Sequence, residues 1–238
     1  LDVQHYAKIR LITEILAVAG TCSMILPYQW MIAPILLGIA TTARWTMIGH
    51  HTLHGGYDFM KQNEFSRFTF ATGAWRRCVD WFDWMLPEAW NVEHNVQHHY
   101  ALGEPEFDPD LVEDNLRFLR ELPIPTFLKR IAVFFMAMVW KWWYYAPNTM
   151  KALMKKRDPK AKLGEGVWVL SNLWYENPSA FISVLSEAIL PYAVFKFGLY
   201  PLPFLALGRD AYINALMCVI LADIIANAYS FLIIVTNH

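Results

Sequence analysis

Six of the eight histidines in this chain fall in two short segments, and within each segment the spacing is that of metal ligands. In "GHHTLHGGYD", residues 49–58, His50 and His54 are four apart, while His51 and His54 are three apart. Residues three or four apart share one face of a helix, so two imidazoles one turn apart can converge on a common ion. The following Gly55-Gly56 is then a natural helix stop. In "EHNVQHHY", residues 93–100, His94 and His98 repeat the four-residue spacing and His99 follows directly. A lone histidine such as His5 is accounted for as a surface or core residue. Two helical-spaced groups beside apolar segments are not, because desolvating imidazole without a ligand is costly.

Ligand type narrows the metal. Imidazole-rich sites suit iron, zinc, copper or nickel. Thr52-Leu53 and Asn95-Val96-Gln97 stand between the paired histidines, so the H-E-x-x-H pattern of a zinc protease is absent from both. At least five imidazoles exceed what one tetrahedral zinc takes, and the surplus points to two metals. Carboxylates follow the second group in "GEPEFDPDLVED", residues 103–114. A carboxylate that accepts the free ring N–H fixes a ligand's tautomer, and Asp108 or Asp110 is the preferred candidate for that role. For any single one of these acids a solvated loop or a helix cap is the simpler account. Asn91 and Glu93 are weaker candidates.

The elements that must position these residues are helices in a membrane. The chain is 56% hydrophobic and only 17% charged, a balance that a soluble domain of 238 residues does not show. A spanning helix needs roughly 20 mostly apolar residues. Two such lengths lie between Tyr6 and Ile48, divided at Pro27-Tyr28-Gln29, and two more run from Pro178 to about Leu207 and from Ala211 to Thr236. The stretch from Ile131 to Tyr145 is short and carries Lys141, which suits a helix lying in the interface plane. Residues 57–130 read as a polar cap, in which "WRRCVDWFDWMLPEAW" forms a surface-lying amphipathic helix stopped by Pro87. The fold expected is all-α: an integral membrane protein with four transmembrane helices in two hairpins, a cytoplasmic helical cap and interfacial helices.

Charge orients this layout. "KALMKKRDPKAK", residues 151–162, holds six basic residues on the histidine side, and the turn at 27–29 on the far side has none, so the histidine clusters face the cytoplasm. Arg209, at the outer turn, does not fit this bias. With four crossings His238 returns to the same face. A net charge of -1 offers no field for nucleic acid. Cys22, Cys78 and Cys218 form neither a disulfide framework nor a metal knuckle. Asp223 and Asn227, four apart in the last span, and Glu187 in the third are intramembrane polar groups, read first as interhelical hydrogen bonds and second as cleft lining.

With "HHTLH" and "HNVQHH" in this order between hydrophobic hairpins, the chain resembles the membrane fatty acid desaturase family, and the resemblance covers most of its length. It implies a di-iron centre with His50 and His54 from the first box, His94, His98 and His99 from the second, and His238 after the last crossing as a further ligand or neighbour. His51, Asp108 and Asp110 would stand behind these ligands. The family's third box, H-x-x-H-H, is not within residues 1–238, so the expectation is one desaturase-like domain truncated before it. The activity implied is O2-dependent insertion of a double bond into a fatty acyl chain, on a membrane lipid or an acyl thioester. Its two electrons would come from an external cytochrome b5 or ferredoxin. The membrane would be the bacterial inner membrane or the endoplasmic reticulum.

Other functions fit parts of the pattern. A lipid hydroxylase or monooxygenase would use the same site, because oxygen can rebind to the carbon in place of a second hydrogen loss. A haem-binding electron carrier would place its histidines in mid-span, whereas these sit at a helix end and in a polar segment. A non-catalytic metal-binding or partner-binding membrane protein would lack a third box altogether.

Overall fold

Pro27 divides the first apolar stretch into two helices, and at its other end the chain again runs through two long apolar helices in succession. In chain order the helices are α1 (Asp2–Ser23), α2 (Ile32–Leu53), α3 (Ala74–Asp80), α4 (Pro87–Trp90), α5 (Arg117–Glu121), α6 (Thr126–Trp140), α7 (Ala146–Arg157), α8 (Leu170–Glu176), α9 (Pro178–Leu207) and α10 (Arg209–Ile234). The structure, a computed structural model, describes residues 2–60, 65–80, 83–104, 107–109, 116–164 and 167–235, and these contain no β-strand. They form two compact units, residues 1–83 with 190–229 and residues 84–189 with 230–238.

In the first unit α1 and α2 form a helical hairpin. The buried seam of α1 is Tyr6, Thr13 and Gly20, seven residues apart, followed by Met24. Its other face exposes Leu11, Ile12, Ile15 and Val18, a stripe suited to lipid and not to water. Gly20 allows the close approach of α2, since a Cβ there would lie 2.8 Å from Leu37 Cγ. The buried side of α10 is built from small residues, Ala215, Cys218, Ala222 and Ala226. Small residues let membrane helices pack backbone to backbone. Gly38 on α2 meets this seam, its Cβ position lying 2.9 Å from Ile225 Cγ2 and 3.1 Å from the Ala222 carbonyl.

Polar groups tie the same unit together. The turn after α1 closes through Tyr28–Trp30 and Met31, which has φ 60°. Asn214 on α10 holds that turn: its Nδ2 donates to the Met24 and Leu26 carbonyls at 2.7 and 2.8 Å, and the Tyr28 N–H donates to its Oδ1 at 2.8 Å. These bonds satisfy backbone groups that a helix end leaves without partners. Asp223 and Asn227 are fully buried. Tyr192 on α9 donates to Asp223 Oδ1 at 2.6 Å, an interhelical bond of the kind anticipated, and Asn227 Nδ2 donates to the Asp223 carbonyl within α10.

Among the described residues three helices, α2, α9 and α10, are long and apolar enough to cross a membrane. The 22-residue α1 is not one of them, because Lys8, Arg10 and Glu14 put three charges into it, although Arg10 and Glu14 neutralise each other in an ion pair at 2.8 Å.

The structure departs from the sequence expectation in two places. Pro87 does not stop a helix: it opens α4 from the first turn, where its missing N–H costs nothing, after Leu86 in extended backbone. The Trp-rich segment ahead of it is helical through Asp80 only as α3, residues 81–82 lying outside the described set. The short interfacial segment expected from Ile131 to Tyr145 is the middle of a longer helical run. α6 continues through a π-helical stretch, Lys141–Tyr145, into α7. Lys141 opens that stretch and is buried, not displayed at an interface. Glu187 lies within the membrane-length helix α9, where the sequence reading put it, and accepts from Arg157 Nη1 at 2.9 Å.

Candidate metal centre

From Asn91 the helix begun by α4 widens into a π-helix, Asn91–His98, and the His99 N–H donates five residues back to the His94 carbonyl at 3.1 Å. An α-helix aligns residues three and four apart, whereas this wider turn gathers residues four and five apart on one face. His94, His98 and His99 are such a set. One ligand nitrogen from each lies within 4.8 Å of the other two. The rings of His94 and His98 stack at 4.9 Å, and His99 stands edge-on to both at 4.9 and 5.2 Å. His94 and His98 are buried and His99 is exposed.

A carboxylate fixes the central ring. His98 Nδ1 lies 2.6 Å from Asp108 Oδ1 in a pair almost wholly removed from solvent. The other oxygen, Oδ2, accepts the Gly103 N–H at 2.8 Å, and Gly103 has φ 75°, which lets the loop turn back to make this contact. A carboxylate only accepts, so Nδ1 carries the ring proton and Nε2 is left as the donor atom for a metal. Asp108 was one of two candidates for this place in the sequence; Asp110 lies outside the described residues, as does His238.

Trp90 was not singled out from sequence. Its indole stacks on His94 at 4.2 Å and 24°, extending the row of rings Trp90, His94 and His98. The signal was present as a four-residue spacing, Trp90 to His94 to His98. Glu93, a weak candidate in the sequence, is buried and accepts from Tyr145 Oη at 3.5 Å. Asn91 Oδ1 accepts from Asn95 Nδ2 at 2.7 Å, within its own helix.

The first histidine group stands in the first unit. A π-helical stretch, Arg44–Gly49, precedes it, and the His50 N–H donates to the Trp45 carbonyl. His50 and His54 then share a face, with ring centroids 4.5 Å apart. His50 is exposed and His54 half-buried. His51 lies to the side, edge-on to Tyr57 at 6.2 Å. The glycines end the helix as expected. The Gly56 N–H donates to the His51 carbonyl and the Gly55 N–H to the Thr52 carbonyl, the paired bonds of a Schellman close, with Gly55 at φ 79°. An ion pair of Arg67 with Asp58, at 2.7 Å, packs over Gly55, where a Cβ would meet Asp58 Oδ2 at 2.8 Å and Arg67 Cζ at 2.9 Å.

Neutral imidazoles, one of them held in a fixed tautomer by a buried carboxylate, fit a divalent transition metal. They leave such a metal strongly Lewis acidic, because they add no negative charge. No curated protein and no solved structure matches the chain. Residues 28–235 match the family model for fatty acid desaturases, a span that includes every histidine discussed except His5 and His238. Matched over most of its length, the chain belongs to the membrane fatty acid desaturase family, a family of oxidoreductases.

Proposed function

We propose that this chain carries a di-iron centre and introduces a double bond into a fatty acyl chain with O2 as oxidant. The observation that carries the reading is the π-helical triad of His94, His98 and His99 with Asp108 on His98, within a chain of this family. His50, His54, His94, His98, His99 and His238 are the proposed ligands, with His51, Asp108 and Asp110 behind them. Iron bound by these residues supplies the O2 and redox chemistry that no side chain provides. The chain's own part is to fix imidazole orientation and to exclude water. Asp108 holds the His98 proton at Nδ1, and the Trp90 face covers one side of His94.

The layout proposed around this centre is a single membrane domain over residues 1–238. α1 makes the fourth crossing, its Arg10–Glu14 pair lessening the charge carried into the bilayer, so that α1 with α2 and α9 with α10 form two hairpins. The histidines then face the cytoplasm, in a bacterial inner membrane or the endoplasmic reticulum. The substrate is an acyl lipid or acyl thioester, and an external cytochrome b5 or ferredoxin delivers the electrons.

The test is elemental analysis of the protein purified in mild detergent, followed by mass analysis of acyl products formed with reductant and O2. Two non-haem metals per chain and a product two mass units lighter than its substrate are expected. A product heavier by one oxygen would assign the hydroxylase reaction to the same site. A single metal, or a haem absorption band, would overturn the dinuclear reading.

A further inference from the structure

Arg44 lies within the membrane-length helix α2, six residues before His50, and it makes no side-chain hydrogen bond or ion pair with any other described residue. The carboxylates whose charge reaches it, Glu14 and Asp80, are already engaged, by Arg10 at 2.8 Å and by Arg76 at 2.7 Å. A guanidinium in a spanning segment is costly without a counter-ion, and such groups mark pathways or bound ligands. Arg44 also lines a cavity of about 230 Å³ inside the first unit.

The lining of this cavity describes its occupant. Lys196 adds a second cation, held over the Tyr200 ring at 5.7 Å, and Thr13 and Thr41 bring hydroxyls. Ala17, Leu37, Ala40 and Phe195 make the remaining walls apolar. The cavity is smaller than the roughly 300–1,000 Å³ of pockets that enclose a whole drug-sized molecule. A volume of this size has room for a charged head and the first carbons of one tail.

We propose that this cavity binds the anionic head of a single-tailed amphiphile, a carboxylate or a phosphate, with Arg44 and Lys196 as its counter-ions. The site is separate from the histidine groups and does not depend on what they bind.

The experiment uses the whole chain in neutral detergent and measures binding of dodecanoate, dodecyl phosphate and dodecyltrimethylammonium by equilibrium dialysis. One anionic amphiphile per chain is expected to bind saturably, and the cation of equal tail length is not expected to displace it. Binding of dodecanoate alone assigns a fatty acid, and binding of dodecyl phosphate alone assigns a phosphate-headed lipid. Arg44→Gln weakens binding about tenfold or more, the loss of one charge-assisted hydrogen bond, and Arg44→Lys retains part of it. Lys196→Gln, a change on another helix, weakens it too and carries the test if Arg44→Gln does not fold. Equal partitioning of all three amphiphiles, or anion binding unchanged in the folded variants, overturns the proposal.

Discussion

Asp108 accepts the Nδ1 proton of His98 at 2.6 Å with both groups buried, so a carboxylate ten residues along the chain decides which nitrogen of His98 is available to a metal. Asp108→Asn keeps the shape and removes the charge. It is expected to lower metal affinity about 10- to 100-fold, the usual cost of losing a carboxylate behind a histidine ligand. Metal retained after dialysis against graded chelator gives the comparison. Glu104→Gln serves as the control, since that side chain is exposed and the residue is engaged through its backbone, its carbonyl accepting from the Phe107 and Asp108 N–H groups and its N–H donating to the Ala101 carbonyl.

The two histidine groups differ in how strictly each ring is placed, and single substitutions separate ligand from neighbour. His94→Ala and His98→Ala each remove a buried ring from the row begun by Trp90, and each is expected to take the metal count below two per chain. His51→Ala, whose ring lies against Tyr57 and not in the His50–His54 pair, is expected to leave the count unchanged. Elemental analysis of the three variants beside the parent decides it; a His51→Ala protein stripped of metal would make His51 a ligand.

Much of this site was legible in the sequence because histidine spacing survives a change of helix type. His50 and His54 meet as an α-helical face predicts, and Gly55-Gly56 end that helix as their backbone freedom predicts. The position of His99 beside His94 and His98 was less visible, because on a regular α-helix a residue five places from His94 turns away; the π-helical ladder brings it back. Such ladders leave no composition signal, so the inward Lys141 and the unbroken run from α6 to α7 were also missed. Pro87 was misread for a different reason. Proline closes the helix before it and opens the one after it equally well, and sequence alone gave no way to choose.

Tyr192 and Asp223 make a polar contact between α9 and α10 in the first unit. Tyr192→Phe leaves the fully buried Asp223 carboxylate without that donor, and the expected loss of stability is about 1–3 kcal/mol. Asp223→Asn keeps an acceptor for the tyrosine and costs less. Thermal unfolding of the three proteins in one detergent ranks them, and equal midpoints for Tyr192→Phe and the parent would show that the contact contributes nothing.

Two glycines in α1 and α2 permit close packing, but their neighbours yield differently. A Cβ at Gly20 meets side-chain atoms, Leu37 Cγ at 2.8 Å and Leu36 Cβ at 3.2 Å, whereas one at Gly38 meets Ile225 and also the Ala222 carbonyl at 3.1 Å, which is backbone and moves only with its helix. Gly38→Ala is therefore expected to destabilise by about 1–3 kcal/mol, the range for overpacking, and Gly20→Ala by less. The same melting measurement tests the order, and a larger loss at Gly20 would reverse the argument.

Gly55 links stability to the first histidine pair. Its φ of 79° costs a side-chain-bearing residue about 1–2 kcal/mol, and a Cβ there would also press on the Asp58–Arg67 ion pair at 2.8 and 2.9 Å. The helix end that presents His54 depends on the bonds this glycine makes, because the Gly55 and Gly56 N–H groups cap the carbonyls of Thr52 and His51. Gly55→Ala is expected to lower the melting midpoint and to weaken metal retention together, while Gly73→Ala, also at positive φ but with nothing within 4 Å of its Cβ position, lowers the midpoint alone. If Gly55→Ala loses stability and keeps its full metal content, the Schellman close terminates the helix without placing His54.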